Sequence, residues 1–219
     1  MIIVKNKDLL DKYISTTGIS RLFSQDISNL LELFYLEKGD FLINEGECSD
    51  YLFFLVNGKL KVFSHSTSGK IMSLSLFNSF QIIGETCSLW NKPPTASVQA
   101  TCKTYCIGIS MQYRDLLLND IVFLRYICQN LGDKLSYMNN NTCINLYDSL
   151  ESRLASFILR REKDGIFSYN LTECAELLCT SYRHLLRVIN SFCASGKLEK
   201  NKKSYKILDR GFFEKISSY

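Results

Sequence analysis

Two prolines, one tryptophan and two histidines in 219 residues set the first limits on this chain. With so little proline and only 11 glycines it is neither collagen-like nor a proline-rich linker, and 46% hydrophobic against 22% charged residues excludes a disordered chain. Long apolar runs are missing as well. The longest, such as Leu52–Val56, fall far short of the roughly 20 residues needed to cross a bilayer. Lys5, Asn6, Lys7 and Asp8 stand where a secretory signal would hold its apolar stretch, and no small-residue cleavage site follows. A cytoplasmic protein without membrane contact is expected.

No cysteine precedes Cys48, and the nine in the chain, an odd number scattered as far as Cys193, do not form the dense framework of a small secreted domain. Reduced thiols are expected, most of them serving as small buried hydrophobes. Cys48, Cys87, Cys102, Cys106, Cys128 and Cys143 are the candidates for a redox or metal-sensing role. His65 lies in a polar turn and His184 in a helical segment, so neither pairs with a nucleophile or a metal. No catalytic triad, phosphate loop or spaced carboxylate pair stands out, and an enzyme is not expected.

The net charge of +4 is unevenly divided. Residues 1–150 hold 13 Lys+Arg and 14 Asp+Glu, a net −1, whereas residues 151–219 hold 13 and 8, a net +5. The last third carries the whole positive excess, as expected of a part that meets a polyanion.

From about Phe34 to Ile109 short apolar stretches alternate at period two, as in Lys59–Phe63 and Ile71–Leu76, and turn residues punctuate them. Lys38-Gly39-Asp40, Glu45-Gly46, Ser68-Gly69 and Pro93-Pro94 mark the turns, and Val56-Asn57-Gly58-Lys59 is the best hairpin candidate. Many short strands with frequent turns predict a sandwich or barrel of jelly-roll type. After Ser110 the period becomes helical. Leu124, Ile127, Leu131, Leu135 and Met138, at steps of 3, 4, 4 and 3, lie along one stripe that can pack on its own barrel or pair with a second chain. A second helical run spans Leu150 to Leu159, with a hinge expected between about Asn145 and Ser149.

Asn170 followed by Glu173 has the spacing of a capping box and opens a short helix. Cys179-Thr180 breaks it, Ser181 caps a second helix from Tyr182 to about Cys193, and Gly196 ends that helix in a left-handed conformation. Lys200-Asn201-Lys202-Lys203-Ser204 then forms the tip of a basic hairpin between Lys197-Leu198 and Tyr205–Leu208. Short helix, tight turn, capped helix and basic hairpin describe a winged helix-turn-helix, whose second helix fits the major groove of DNA. Tyr182, Arg183 and Arg187 are the candidates for base contacts, Ser181 and His184 for nearby backbone contacts, and Lys200, Lys202, Lys203 and Lys206 for phosphates.

Tyr35–Glu47, continuing through Tyr51–Val62, resembles the opening of the cyclic-nucleotide-binding β-roll of the Crp/Fnr transcription regulators, named for the cyclic-AMP receptor protein and the fumarate and nitrate reduction regulator. The order of motifs continues with Ile83-Gly84-Glu85, the long central helix, and Glu173-Cys174-Ala175 through Gly196-Lys197-Leu198, so the resemblance covers residues 20 to 209. It implies an α+β chain with a β-roll sensor over 1–121, a central dimerisation helix over 122–145 and a DNA reader over 146–219. The dimer interface would use Leu124, Ile127, Leu131, Leu135 and Met138, and the effector pocket Gly84, Glu85, Thr95, Ala96 and Met138. The implied partners are a two-fold symmetric duplex DNA site, a second copy of the chain, and RNA polymerase.

The departures from the family are specific. Members that bind cyclic AMP grip its phosphate with an arginine directly before a Ser/Thr-Ala pair; here Pro94 precedes Thr95-Ala96. The Thr-Ser pair that meets adenine on the central helix is absent around Tyr137-Met138-Asn139. The cysteine cluster that holds an iron–sulfur group ahead of the roll is missing. The resemblance therefore argues against cyclic AMP and leaves the effector unidentified. In the reader, Arg187 matches the family's retained arginine while Arg183 replaces a glutamate, so an altered half-site preference is expected. Cys179 stands where the family has a turn glycine. Two other readings stay open: a thiol- or metal-responsive regulator, and a small-molecule-binding module acting through protein partners.

Overall fold

The computed structural model describes residues 1–65, 71–178, 180–202 and 204–217, with the side chains of 71–73 and 137–147 outside the description. The chain divides into two compact units, Met1–Asp133 and Lys134–Tyr219. Among the described residues the first holds nine strands: β1 (Ile2–Ile3), β2 (Leu31–Leu36), β3 (Phe41–Ile43), β4 (Tyr51–Asn57), β5 (Leu60–His65), β6 (Ile71–Phe77), β7 (Gln81–Ile83), β8 (Ser97–Ala100) and β9 (Thr104–Ser110). They make two antiparallel sheets, ordered β1-β2-β9-β4-β7 and β3-β8-β5-β6. Three helices accompany them: α1 (Lys7–Thr17), α2 (Arg114–Leu118) and the long α3, which begins at Ile121 and runs to Tyr147.

The apolar run at the start of β4 has a physical reason. Its sheet is covered on both faces, so neighbouring side chains must all be apolar. Phe53 and Leu55 join Phe34, Leu36, Leu60, Ile83, Val98 and Cys106 in one core. Leu52 and Phe54 join Leu31, Leu33, Ile107, Ile109, Phe123 and Ile127 in another. In that second core the ring of Phe123, from the first turn of α3, stacks on Phe23 at 5.0 Å.

The turn at Asn57-Gly58 is not a hairpin. β4 pairs with β9 and β7, while β5 pairs with β6 and β8, so this dipeptide carries the chain from one sheet to the other. Gly58 has φ 104°, and a Cβ there would fall 2.6 Å from the Thr104 backbone. The close approach, rather than a two-residue turn, is what demands glycine.

The second unit contains α4 (Leu150–Arg161), β10 (Ile166–Phe167), α5 (Leu171–Leu177), α6 (Tyr182–Ala194), β11 (Leu198–Asn201), β12 (Ser204–Ile207) and α7 (Arg210–Ile216). The helix breaks between Tyr147 and Leu150, where Ser149 caps α4 by accepting from Ser152 N. One core unites Leu154 and Ile158 of α4, Phe167, Cys174 and Ala175 of α5, Leu185, Val188, Ile189 and Phe192 of α6, Leu198, Tyr205 and Phe213. Arg210 ties α7 to α4 through Glu162 Oε1 at 2.7 Å.

Asp120 fixes the start of α3. One carboxylate oxygen accepts from Val122 N and Phe123 N at 2.9 and 3.1 Å, and the other from Ser24 N and Oγ at 2.7 and 2.9 Å. Burial acts to raise its pKa, but these donors outweigh it and hold the carboxyl below its ordinary value. A depressed folded value means that its stabilisation is present above the unfolded value of about 3.9 and is lost as pH falls toward the folded value. Asp120→Asn should therefore lower the urea midpoint at neutral pH, with the gap to the parent closing in acid. A gap unchanged from neutral to strongly acid solution would contradict this role.

Candidate functional site

The reader is built from its caps outward. Asn170 Oδ1 accepts from Thr172 N at 2.9 Å and from Glu173 N at 3.4 Å, setting the start of α5. Arg153 of α4 donates from Nη1 to Leu178 O at 2.9 Å and holds the end of α5 where the chain turns. Ser181 Oγ then accepts from His184 N at 3.2 Å and starts α6. Gly196, at φ 69°, donates its N–H to Cys193 O beyond the last turn.

Because Leu185, Val188, Ile189 and Phe192 are spent on the core, the opposite face of α6 is fixed. Ser181, Tyr182, Arg183, His184 and Arg187 are all exposed, and Arg183 and Arg187 stand one turn apart. His184 Nδ1 lies 3.5 Å from Thr180 Oγ1. Asn190 is exposed on the same face one turn further on, a position that sequence reading passed over. An amide carries no charge signal; only the phase of the helix reveals it.

The basic hairpin is an antiparallel pair with Lys200 opposite Tyr205 and Asn201 opposite Ser204. Its tip holds Lys202 at φ 37°, and Lys203 lies outside the described residues. Lys200, Lys202 and Lys206 are exposed. Lys197 is engaged instead, 2.7 Å from Asp209 Oδ2.

In the first unit, β7 ends in a tight turn at Gly84, whose φ is 95° and whose added Cβ would lie 2.7 Å from Ser88 Oγ. Glu85 follows, 4% exposed. Its carboxylate faces Tyr126 of α3 closely enough to raise that phenol's pKa, after the larger effect of burial. Sequence reading did not find Tyr126, which only the packing of α3 brings to Glu85. Pro94 is buried and its carbonyl accepts from Gly46 N at 2.8 Å. Thr95 is exposed and Ala96 half-buried, and the side chain of Met138 lies outside the description.

Pro94 fills the position before Thr95-Ala96, so no guanidinium is supplied there. Between residues 84 and 96 the one basic side chain, Lys92, is exposed, while Glu85 and Cys87 are the buried ionisable groups.

Along α3 the predicted stripe separates into two faces. Ile127 is 5% exposed and belongs to the core with Phe123, so its side chain is already covered by its own unit. Leu124 and Leu131 are half-buried, Cys128 is exposed, and Ile121 and Leu135 are 59% and 60% exposed. The more exposed apolar positions fall along Ile121, Leu124, Cys128, Leu131 and Leu135, at steps of 3, 4, 3 and 4, although half-buried Leu131 also packs against the core of the first unit. That is the heptad spacing of a coiled coil.

Comparison with known proteins agrees with this architecture. Residues 33–119 match the cyclic nucleotide-binding domain family. The Escherichia coli O157:H7 regulatory protein YeiL is 32% identical over 201 residues, covering 90% of each chain. Among solved structures, a Crp/Fnr-family transcriptional regulator from Eubacterium rectale superposes with a TM-score of 0.73 at 18% identity, over 95% of this chain and 100% of that one. A second Crp/Fnr-family transcriptional regulator, from Thermus thermophilus, gives 0.68 at 15% identity, over 85% and 98%.

Removing the cap that starts α6 has a defined cost. Ser181→Ala should destabilise the second unit by about 1 kcal/mol, read as a lower denaturation midpoint followed through that unit's amide protection. A midpoint equal to the parent's would show that the cap contributes nothing.

Proposed function

The chain belongs to the Crp/Fnr family of transcription regulators, and we propose that it works as a homodimer that reads a two-fold symmetric operator with α6. The observation that carries this reading is the outward face of α6. Two arginines one turn apart stand on a helix whose other face is buried, and a lysine-tipped hairpin follows it. Arg183 and Arg187 are suited to bidentate hydrogen bonds with guanine, Tyr182 to a thymine methyl or the backbone, and Ser181 and His184 to phosphate near the helix N-terminus. Lys200, Lys202 and Lys203 neutralise phosphates on either side of the groove.

In this reading residues 1–121 are the sensor, 122–145 the dimerisation helix and 146–219 the reader. The strip Ile121, Leu124, Cys128, Leu131 and Leu135 pairs with its copy, and Ile127 stays with the roll. A change in the roll shifts the population of dimers whose two recognition helices stand one DNA turn apart, roughly 34–36 Å. A dimer bound beside a promoter is placed to meet RNA polymerase. Pro94 stands where cyclic-AMP-binding members carry the arginine that grips the phosphate, which argues against cyclic AMP as the signal.

Arg187→Ala should cost on the order of 1–3 kcal/mol on a selected operator and relax the preference at one base pair. Lys202→Ala should instead weaken all sequences alike and lower the salt slope by about one. Equal losses on operator and random DNA for Arg187→Ala would overturn its assignment. Absence of any salt-dependent DNA affinity in a folded dimer would favour a module that acts through protein partners.

A further inference from the structure

The period of α6 leaves one straight line of side chains uncovered. At about 100° per residue, the four positions given to the core, Leu185, Val188, Ile189 and Phe192, occupy one side of the helix. The line farthest from them runs through Arg183, Arg187, Asn190 and Ala194, at steps of 4, 3 and 4, and all four are exposed. With a rise of about 1.5 Å per residue, Asn190 stands about 4.5 Å beyond Arg187 and about 10.5 Å beyond Arg183 along the axis. Base pairs in a duplex repeat about every 3.4 Å, so Asn190 is displaced from Arg187 by about one base pair and from Arg183 by about three.

Nothing in the fold of the second unit calls for an asparagine there. Asn190 lies inside α6, away from the caps at Ser181 and Ser195. In a helix interior asparagine is a poorer former than alanine, because its amide competes for backbone groups in non-helical conformations. Among the described residues its amide has no hydrogen-bond partner. A ridge that only neutralised phosphate would carry lysine or arginine at this point, and Asn190 adds no charge. What the amide adds is a donor and an acceptor in one plane, the pair complementary to N7 and the N6 amino group of adenine in the major groove.

We propose that Asn190 is a third base-reading residue of α6 and takes an adenine about one base pair beyond the base read by Arg187. Its Nδ2 donates to adenine N7, and its Oδ1 accepts from the N6 amino group. The inference rests on the reading of DNA by α6 proposed above and deepens it. Each half-site then holds guanines for Arg183 and Arg187, about two base pairs apart, and an adenine on the far side of the second. Ala194, next on the line, has no polar atom in its side chain, so Asn190 is the last polar group that the ridge offers.

The test compares the full chain with Asn190→Ala, both reduced, in selection from a random duplex pool and in titrations of the selected duplexes across a range of salt. The parent's motif is expected to hold, in both half-sites, an adenine that the variant no longer selects, with the rest of the motif retained. The variant binds the parent's best site about tenfold more weakly and keeps the parent's salt slope, because no phosphate contact is lost. Its urea midpoint equals or exceeds the parent's, since alanine is the better helix former. An identical motif for the two chains, an equal loss on operator and random duplexes with a shallower salt slope, or a lower urea midpoint would overturn the assignment of Asn190 and leave α6 as the reader. A folded parent that enriches no motif would overturn both.

Discussion

The phase of one helix governs the rest. Asp120 accepts both amides at the start of α3, and Phe123 enters the core against Phe23, so the helix cannot rotate without breaking both contacts. Once Phe123 and Ile127 are committed inward, the residues left outward are determined by the 3.6-residue period alone. Ile121, Cys128 and Leu135 are left uncovered because the roll has claimed the adjacent face. The same commitment half-buries Tyr126, whose pKa is raised by burial first and by the charge of Glu85 second.

The first unit has the fold of a cyclic nucleotide-binding domain without the arginine that family members place before the Ser/Thr-Ala pair. Gly84 retains the left-handed turn that lets the backbone pass Ser88, and Glu85 remains buried. The position that would supply a guanidinium holds Pro94, whose carbonyl is used to dock the turn at Gly46. A scaffold built for one ligand can in this way serve a different signal, since its fold depends on glycine turns and two-faced strands rather than on the ligand's contacts.

Local signals were legible where a single residue type does a single job. Ser181, Asn170 and Gly196 cap as their spacing implies, and the lysine-rich turn is a hairpin tip. Signals that need a partner were not. Asn57-Gly58 has the composition of a hairpin turn but serves a change of sheet, because pairing is decided by which strand lies alongside and not by the turn. The stripe through Leu124, Ile127 and Leu135 is graded, from buried Ile127 through half-buried Leu124 to exposed Leu135, since periodicity gives a helix's amphipathicity without saying which edge its own unit covers. Tyr126 and Asn190 carry no motif and become candidates only when helix phase is known.

The central claim is that the outward face of α6, presented twice by a dimer, reads DNA sequence. Selection of bound sites from a random duplex pool by the purified, reduced chain, without added ligand and again after oxidation, tests it most directly. The account predicts enrichment of a two-fold symmetric motif with half-sites about one helical turn apart. Failure to enrich any motif in either condition, from a folded chain, would contradict it.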